Sequence, residues 1–322
     1  MWTCSNQVYL PDSKKVFLAK IEESEQEQDL TAPANCNGFG RIRHFRRYQY
    51  EDWIPDPLPI DPALKYLRQE STDLLLTECF QIAECNLKCW YCFVPDGMKS
   101  GLKTCGEWFS ADQMLDEVIA MDAPPQVIVL SGGNPELAPS WPLELMKSLE
   151  KAGYVDEFYL WSDDALSLDS FHNALSKSEV SYMVRYPGYG KVCCFKGYNN
   201  LSCRFNTQSN QLNYQDQLRR FKKYYEDGFD LYGYVTFTTP DLDDMEKELQ
   251  GFFDDLRRIH PLMPLRVIPL RITRYKSIQP LTAEQQTAHQ NQFVVLAVWC
   301  ELIAKTYDSC LINKKISDIS IR

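Results

Sequence analysis

The stretch Glu84-Cys-Asn-Leu-Lys-Cys-Trp-Tyr-Cys-Phe93 sets three cysteines, Cys85, Cys89 and Cys92, at Cys-x3-Cys-x2-Cys spacing. Three thiolates from one short loop suit a cubic iron-sulfur cluster whose fourth iron has no protein ligand. An iron left open in this way can bind a small molecule directly. Two other readings use the same residues. A structural zinc site takes four Cys or His ligands, commonly from two paired knuckles. Cys79 and Cys105 flank the loop without forming a second knuckle, and the histidines are His44, His172, His260 and His289. Taken alone, Cys89-Trp90-Tyr91-Cys92 is a redox Cys-x-x-Cys, which leaves Cys85 without a role. A non-enzymatic zinc or thiol-redox module therefore stands as one alternative.

Downstream, the apolar run Val127-Ile-Val-Leu-Ser131 reads as a short buried strand and is followed at once by Gly132-Gly133-Asn134-Pro135. Glycine there lets the backbone approach a ligand or another backbone where a side chain would obstruct it. With Tyr91 just before the last cysteine, the two motifs together resemble those of the radical S-adenosylmethionine (radical SAM) enzymes. The resemblance implies a 4Fe-4S cluster held by Cys85, Cys89 and Cys92, and S-adenosylmethionine (SAM) bound at its open iron. It further implies that Tyr91 lies near the adenine and that Gly132, Gly133, Asn134 and Pro135 hold the methionine amino group. The family commonly has Glu where this chain has Asn134; the contact resembles a backbone one, so the change leaves it possible. Reductive cleavage of SAM to a 5′-deoxyadenosyl radical, hydrogen abstraction from the substrate, and an electron donor such as flavodoxin or ferredoxin are implied in the same way. The protein environment would position the partners while the cofactors supply the hard chemistry.

Element order points to the same architecture without any resemblance. Leu74 to Glu78 reads as a strand leading into the cysteine loop, and Ser110-Ala-Asp-Gln113 as a capping box opening a helix with Met114, Leu115, Val118 and Ile119 on one stripe. Strands are expected at 127–130, 158–161, 181–185, 192–195, 231–237 and 266–270. Helices are expected at 143–151, 168–176, 216–227, 241–259 and from about Thr282. Alternation of this kind predicts an α/β fold of about six units with a parallel sheet wrapped by helices, either an open sheet or a full or partial barrel; the resemblance implies the partial (β/α)6 barrel, with the active site on the loops at the strands' carboxyl ends. Residues 71–305 make up this barrel. Residues 1–70 form an irregular N-terminal extension with an acidic run, a basic run Arg41-Ile-Arg-His-Phe-Arg-Arg47, and the strap Pro55-Asp-Pro-Leu-Pro-Ile-Asp-Pro62, whose prolines exclude helix interior and central strand. Residues 306–322 are a tail.

Net charge is −10 over 322 residues with 44% hydrophobic content, so a large core is available and phosphate backbones and acidic membranes are repelled. Nucleic acid is disfavoured as a partner. The longest apolar run, Phe293 to Cys300, is too short to span a bilayer, and no charged-then-apolar leader precedes the fold. A cytoplasmic enzyme is expected, with reduced cysteines.

Further candidates follow from strand geometry. From Leu231 to Thr238 apolar residues alternate with Tyr232, Tyr234, Thr236 and Thr238, which puts Thr236 and Thr238 in the interior near the cofactor, or else reflects ordinary strand preference. Lys196, Arg271, Arg274 and Lys276 fall at or beyond strand ends on the active face, where they could pair a substrate carboxylate or phosphate, or be solvated. Cys193 and Cys194 must face opposite sides of a strand. They read as small buried residues or as a hydrogen donor, and a second cluster drawing on Cys105, Cys193, Cys194, Cys203 and Cys300 lacks a ligand rhythm. The expected substrate is a small-molecule or nucleotide-like metabolite, the alternative an activase or peptide-modifying enzyme of the same superfamily.

Overall fold

The computed structural model describes residues 8–275 and 280–322. It opens with strands Tyr9–Leu10 (β1), Lys15–Ala19 (β2) and Gly40–Arg46 (β3) and helix Ile60–Leu67 (α1). Leu74–Phe80 (β4) leads to the cysteine loop, and Gly106–Phe109 (β5) and Ala111–Ile119 (α2) return from it. The pattern then repeats as Val127–Leu130 (β6), Trp141–Ala152 (α3), Tyr159–Asp164 (β7), Ser170–Ala174 (α4), Lys177–Arg185 (α5), Tyr189–Phe195 (β8), Asn200–Thr207 (α6), Tyr214–Asp227 (α7), Leu231–Thr236 (β9), Met245–Ile259 (α8), Val267–Leu270 (β10) and Ala283–Thr306 (α9).

Seven strands form one curled sheet in the order β10-β9-β8-β7-β6-β4-β3, a half-barrel in which β4 and β6 to β10 are parallel. These six are a partial (β/α)6 barrel, one of the architectures the element order allows and the one the resemblance implies. The N-terminal segment adds a seventh strand, with β3 pairing antiparallel to β4 along its whole length. β1, β2 and β5 form a separate antiparallel sheet.

Two-residue alternation sorts the side chains. Leu75, Val127, Val129, Tyr159, Trp161, Val192, Tyr232 and Tyr234 fill the concave side, while Phe80, Ile128, Leu130, Leu160, Phe195, Val235 and Phe237 meet the helices. Ile60, Ala63 and Leu64 of α1 join the concave cluster together with Ile316 and Ile319. The extension and the tail thus stand outside the βα repeat yet inside its core.

The segment between β3 and α1 bridges the open side of the half-barrel. Trp53 donates from Nε1 to the Pro269 carbonyl at 2.9 Å, Tyr234 donates its hydroxyl to Asp56 at 2.9 Å, and Arg47 pairs with Asp61 at 2.6 Å. Trp53 also stands edge-on to Phe293 of α9 at 5.6 Å. The strap is therefore anchored to both sheet edges.

Three expectations need correction. Residues 181–185 are helical, because Ser176 and Glu179 form a capping box that starts α5 and Val180 and Met183 bury at helical spacing. The helix expected over 168–176 shrinks to α4, since that cap ends it. Pro62 lies within α1, in the first turn, where its missing N–H has no acceptor to lose.

Glu78 of β4 is fully buried on the helix side, where Asn35 Nδ2 donates to Oε2 at 2.6 Å and, among the described residues, Oε1 has no side-chain partner. Burial pushes its carboxyl from 4.5 up to about 7. A folded-state value above the unfolded one means that the stability this group contributes is complete below about pH 4.5 and is lost as pH rises through about 7. Between pH 5 and pH 8, Glu78→Gln should therefore gain on the native chain by on the order of 2 kcal/mol in urea denaturation. Parallel stability profiles for the two chains would refute this.

Candidate functional site

The cysteine loop leaves the carboxyl end of β4 and is fixed from three directions. Toward β6, the Ile82 N–H donates to the Gly132 carbonyl at 3.2 Å and the Asn134 N–H to the Glu84 carbonyl at 2.8 Å. Toward α6, the N–H groups of Lys88 and Trp90 donate to the carbonyls of Thr207 and Asn206 at 3.2 and 3.3 Å. Toward the return segment, the Cys85 N–H donates to the Lys99 carbonyl at 3.2 Å and the Gly101 N–H to the Ala83 carbonyl at 2.8 Å.

The β6 contact requires glycine. Gly132 and Gly133 have φ of +96° and +61°, and a Cβ on Gly133 would lie 2.1 Å from the Ile82 carbonyl oxygen and 2.6 Å from that of Glu84. Only a residue without Cβ can take this backbone conformation at this distance. The Asn134 side chain, fully buried, ties the two loops again by donating to Asn86 Oδ1 at 2.5 Å and Ser167 Oγ at 2.9 Å.

Cys85, Cys89 and Cys92 are free thiols of intermediate exposure, with a turn closed by the Cys92 N–H on the Cys89 carbonyl at 3.1 Å. Burial pushes the Cys85 thiol up to about 12, and the charges of Cys89 and Cys92 push the same way. Burial likewise raises Cys89, against the pull of Lys196 and Lys99. The Leu87 N–H points at Cys85 Sγ at 3.4 Å. Clustered thiols, a backbone donor and two cations make an environment that favours sulfur as thiolate once a metal replaces the protons. Among the described residues, no three His, Cys, Asp or Glu side chains gather as a ready set for one metal ion, the loop thiols included. A cubic cluster binds each thiolate at a different iron, so its ligands need not converge on one atom.

Several residues singled out from the sequence meet this loop. The Tyr91 hydroxyl lies 3.2 Å from Thr236 Oγ1. Lys196 stands within electrostatic reach of Tyr91, Cys194, Cys89 and Cys85. Thr238 donates to Asn206 Oδ1 at 2.7 Å, and Asn206 also accepts from Trp90 Nε1 at 3.0 Å and donates to the Lys196 carbonyl at 2.9 Å. Asn206 is thus a node joining two strand ends and the loop. It sits on α6, a helix without a strong apolar stripe, and no sequence signal marks it.

Others lie elsewhere. Arg271 forms two hydrogen bonds to Asp52 and stacks 4.3 Å over Tyr50, so its charge anchors the strap. Arg274 is exposed, and Lys276 lies outside the described residues. Cys193 faces the helices, while Cys194 faces the interior near Lys196, Asp163 and Arg43, its thiol pushed up to about 12 by burial. Cys203 packs by Leu87 and Leu212 beside the loop, away from Cys193 among the helices. A cavity of about 450 Å³ lined by Ile54, Val267, Trp299 and Ile316 opens at the strands' amino end, away from these residues.

No protein-family model matches the sequence, and no curated protein does. Among solved structures, the chain is similar to SuiB of Streptococcus suis (TM-score 0.46, 13% identity, 77% of this chain and 50% of that one). It is similar to anSMEcpe with bound AdoMet (0.45, 17%, 66% and 57%). SuiB bound to precursor peptide SuiA also matches (0.38, 16%, 53% and 34%). The chain therefore spans between about a third and somewhat over half of these structures' lengths. At these scores the similarity bears on neither activity nor substrate.

Gly133→Ala should destabilise the protein by at least about 2 kcal/mol, through left-handed strain and collision with two carbonyls. The cysteine loop should become the first region to lose amide-exchange protection. Protection unchanged at 82–92 would show that the two loops are not held together at this glycine.

Proposed function

We propose that this chain is a radical SAM enzyme. The observation that carries the reading is the backbone seam between the cysteine loop and Gly132 to Asn134, at the carboxyl ends of adjacent parallel strands. Cys85, Cys89 and Cys92 would ligate a 4Fe-4S cluster, whose open iron would hold SAM and supply the electron for its reductive cleavage. Around that centre this chain's own groups have separate tasks. Gly132 and Gly133 let the cysteine loop seat directly against the backbone of the loop after β6. Tyr91, fixed by Thr236, offers an aromatic wall. Lys196 balances the charge of the thiolates, and the strap keeps bulk water out of the half-barrel. The substrate would enter the concave side, where Asp163, Cys194 and Lys196 line the mouth; a small metabolite fits the main reading.

A second reading keeps this chemistry and takes a peptide as substrate. SuiB is solved with its precursor peptide SuiA, and anSMEcpe with Cp18Cys peptide. Labelled hydrogen distinguishes the two, by its transfer into 5′-deoxyadenosine from candidate metabolites or from peptides.

Anaerobic reconstitution should load about four irons and four sulfides per chain. With SAM and a reductant, the loaded chain should release 5′-deoxyadenosine, and Cys89→Ala should lose both the cluster and the product. One zinc and no iron in the native chain, or undiminished product from Cys89→Ala, would overturn the proposal.

A further inference from the structure

The edge strand β3 brings two arginines into the mouth of the half-barrel. Its register sets Arg41 against Cys79 and Arg43 against Thr77, on the side where Phe45 and Leu75 join the concave cluster. Arg41 is only 7% exposed, and among the described residues its Nε and Nη2 have no hydrogen-bond partner. Its guanidinium lies 5.3 Å from the ring centre of Phe93, the residue that follows the last cysteine of the loop. Arg43 stacks 4.1 Å over Phe45. Among the described residues neither arginine forms an ion pair, whereas Arg47 on the same segment pairs with both Asp61 and Asp73.

A buried guanidinium without a counter-charge is costly, and proteins retain one where something else supplies the charge. Asp163 and Asp56 lie within electrostatic reach of Arg43 and help hold its guanidinium above its ordinary value, so the uncompensated charge is that of Arg41. Ser131 donates to Asp163, while the Leu58 N–H and the Tyr234 hydroxyl donate to Asp56. Glu78, a carboxylate within electrostatic reach of Arg41, projects to the opposite face of the sheet, where Asn35 holds it. Lys196 adds a third cation to the same mouth. Burial pulls the Arg41 guanidinium below its ordinary value, in line with an environment that lacks its anion.

We propose that Arg41 and Arg43 seat a carboxylate or phosphate group of the substrate and so aim the rest of that molecule at the cysteine loop. Two planar forks on one strand face, two residues apart, suit a bidentate oxyanion and select against neutral or cationic substrates. The inference rests on the proposed radical SAM reading for what happens next to the bound molecule. The anion seat itself needs no cluster. Its substrate class is therefore an acidic molecule, consistent with a net-negative chain that reserves this inner cationic patch for one ligand.

Binding of inorganic phosphate and of malonate to the full chain, followed by calorimetric titration against chloride at matched ionic strength, tests this. One of the two anions should bind saturably, and the better one tells phosphate from carboxylate. Arg41→Gln and Arg43→Gln should each weaken that binding by at least about tenfold. Arg46→Gln, on an exposed position of the same strand, should bind as the native chain does. SAM affinity of the reconstituted chain should be unchanged in Arg41→Gln; its loss would assign the arginine to the cofactor and overturn the proposal. Equal anion binding in the native chain and both variants, or none beyond chloride, would also overturn it. Because the titration is run with and without cluster, a chain that binds phosphate through Arg41 but makes no 5′-deoxyadenosine fails only the enzyme reading.

Discussion

The site depends on a backbone-to-backbone contact that tolerates no side chain. Gly133 lies where any Cβ would collide with the carbonyls of Ile82 and Glu84, and Asn134 donates its N–H to the second of these. Through this seam the loop after β4 and the loop after β6 become one rigid unit. Everything proposed for the three thiols follows from it, because flexible cysteines would lose affinity to the entropy of ordering three side chains at once. The buried side chain of Asn134, shared between Asn86 and Ser167, closes the unit from the other side.

A half-barrel leaves its concave face open between β3 and β10, and the chain closes that gap with its own N-terminal strap. Trp53, Tyr234 and Arg271 hold the strap by hydrogen bonds to backbone or to the strap's Asp56 and Asp52, while the apolar side chains of α1 line the strands' amino end. The closed end is oily and the mouth is charged. Desolvation makes each charge at the mouth expensive, so Lys196 near the thiols and Arg43 near Asp163 are most economically read as parts of a site.

The repeat of strand and helix was legible because local signals agreed. Capping boxes at Ser110 and Thr282, the helix-ending glycines Gly153 and Gly228, and the apolar runs of β6 and β9 each mark one element without help from distant residues. Where the local signal was mixed, reading failed. Tyr182 and Val184 have high strand preference, yet the cap at Ser176 and the burial of Val180 and Met183 made a helix of the segment. Strand β3, rich in arginine, resembles a solvated basic run, and only its pairing with β4 turns Arg41 inward.

From its residues alone this chain determined the cysteine loop, the glycine loop and the order of the βα units, because spacing, caps and turn chemistry act over a few residues. Tertiary structure decided what faces the mouth. It assigned Arg271 to the strap, recruited Asn206 from a helix without a marked pattern, and turned a basic run into an inner edge strand. The physical reason is that an isolated arginine or asparagine carries no record of its counter-charge or hydrogen-bond partner. Those partners lie tens to hundreds of residues away along the chain, and only the closing of the sheet brings them within reach.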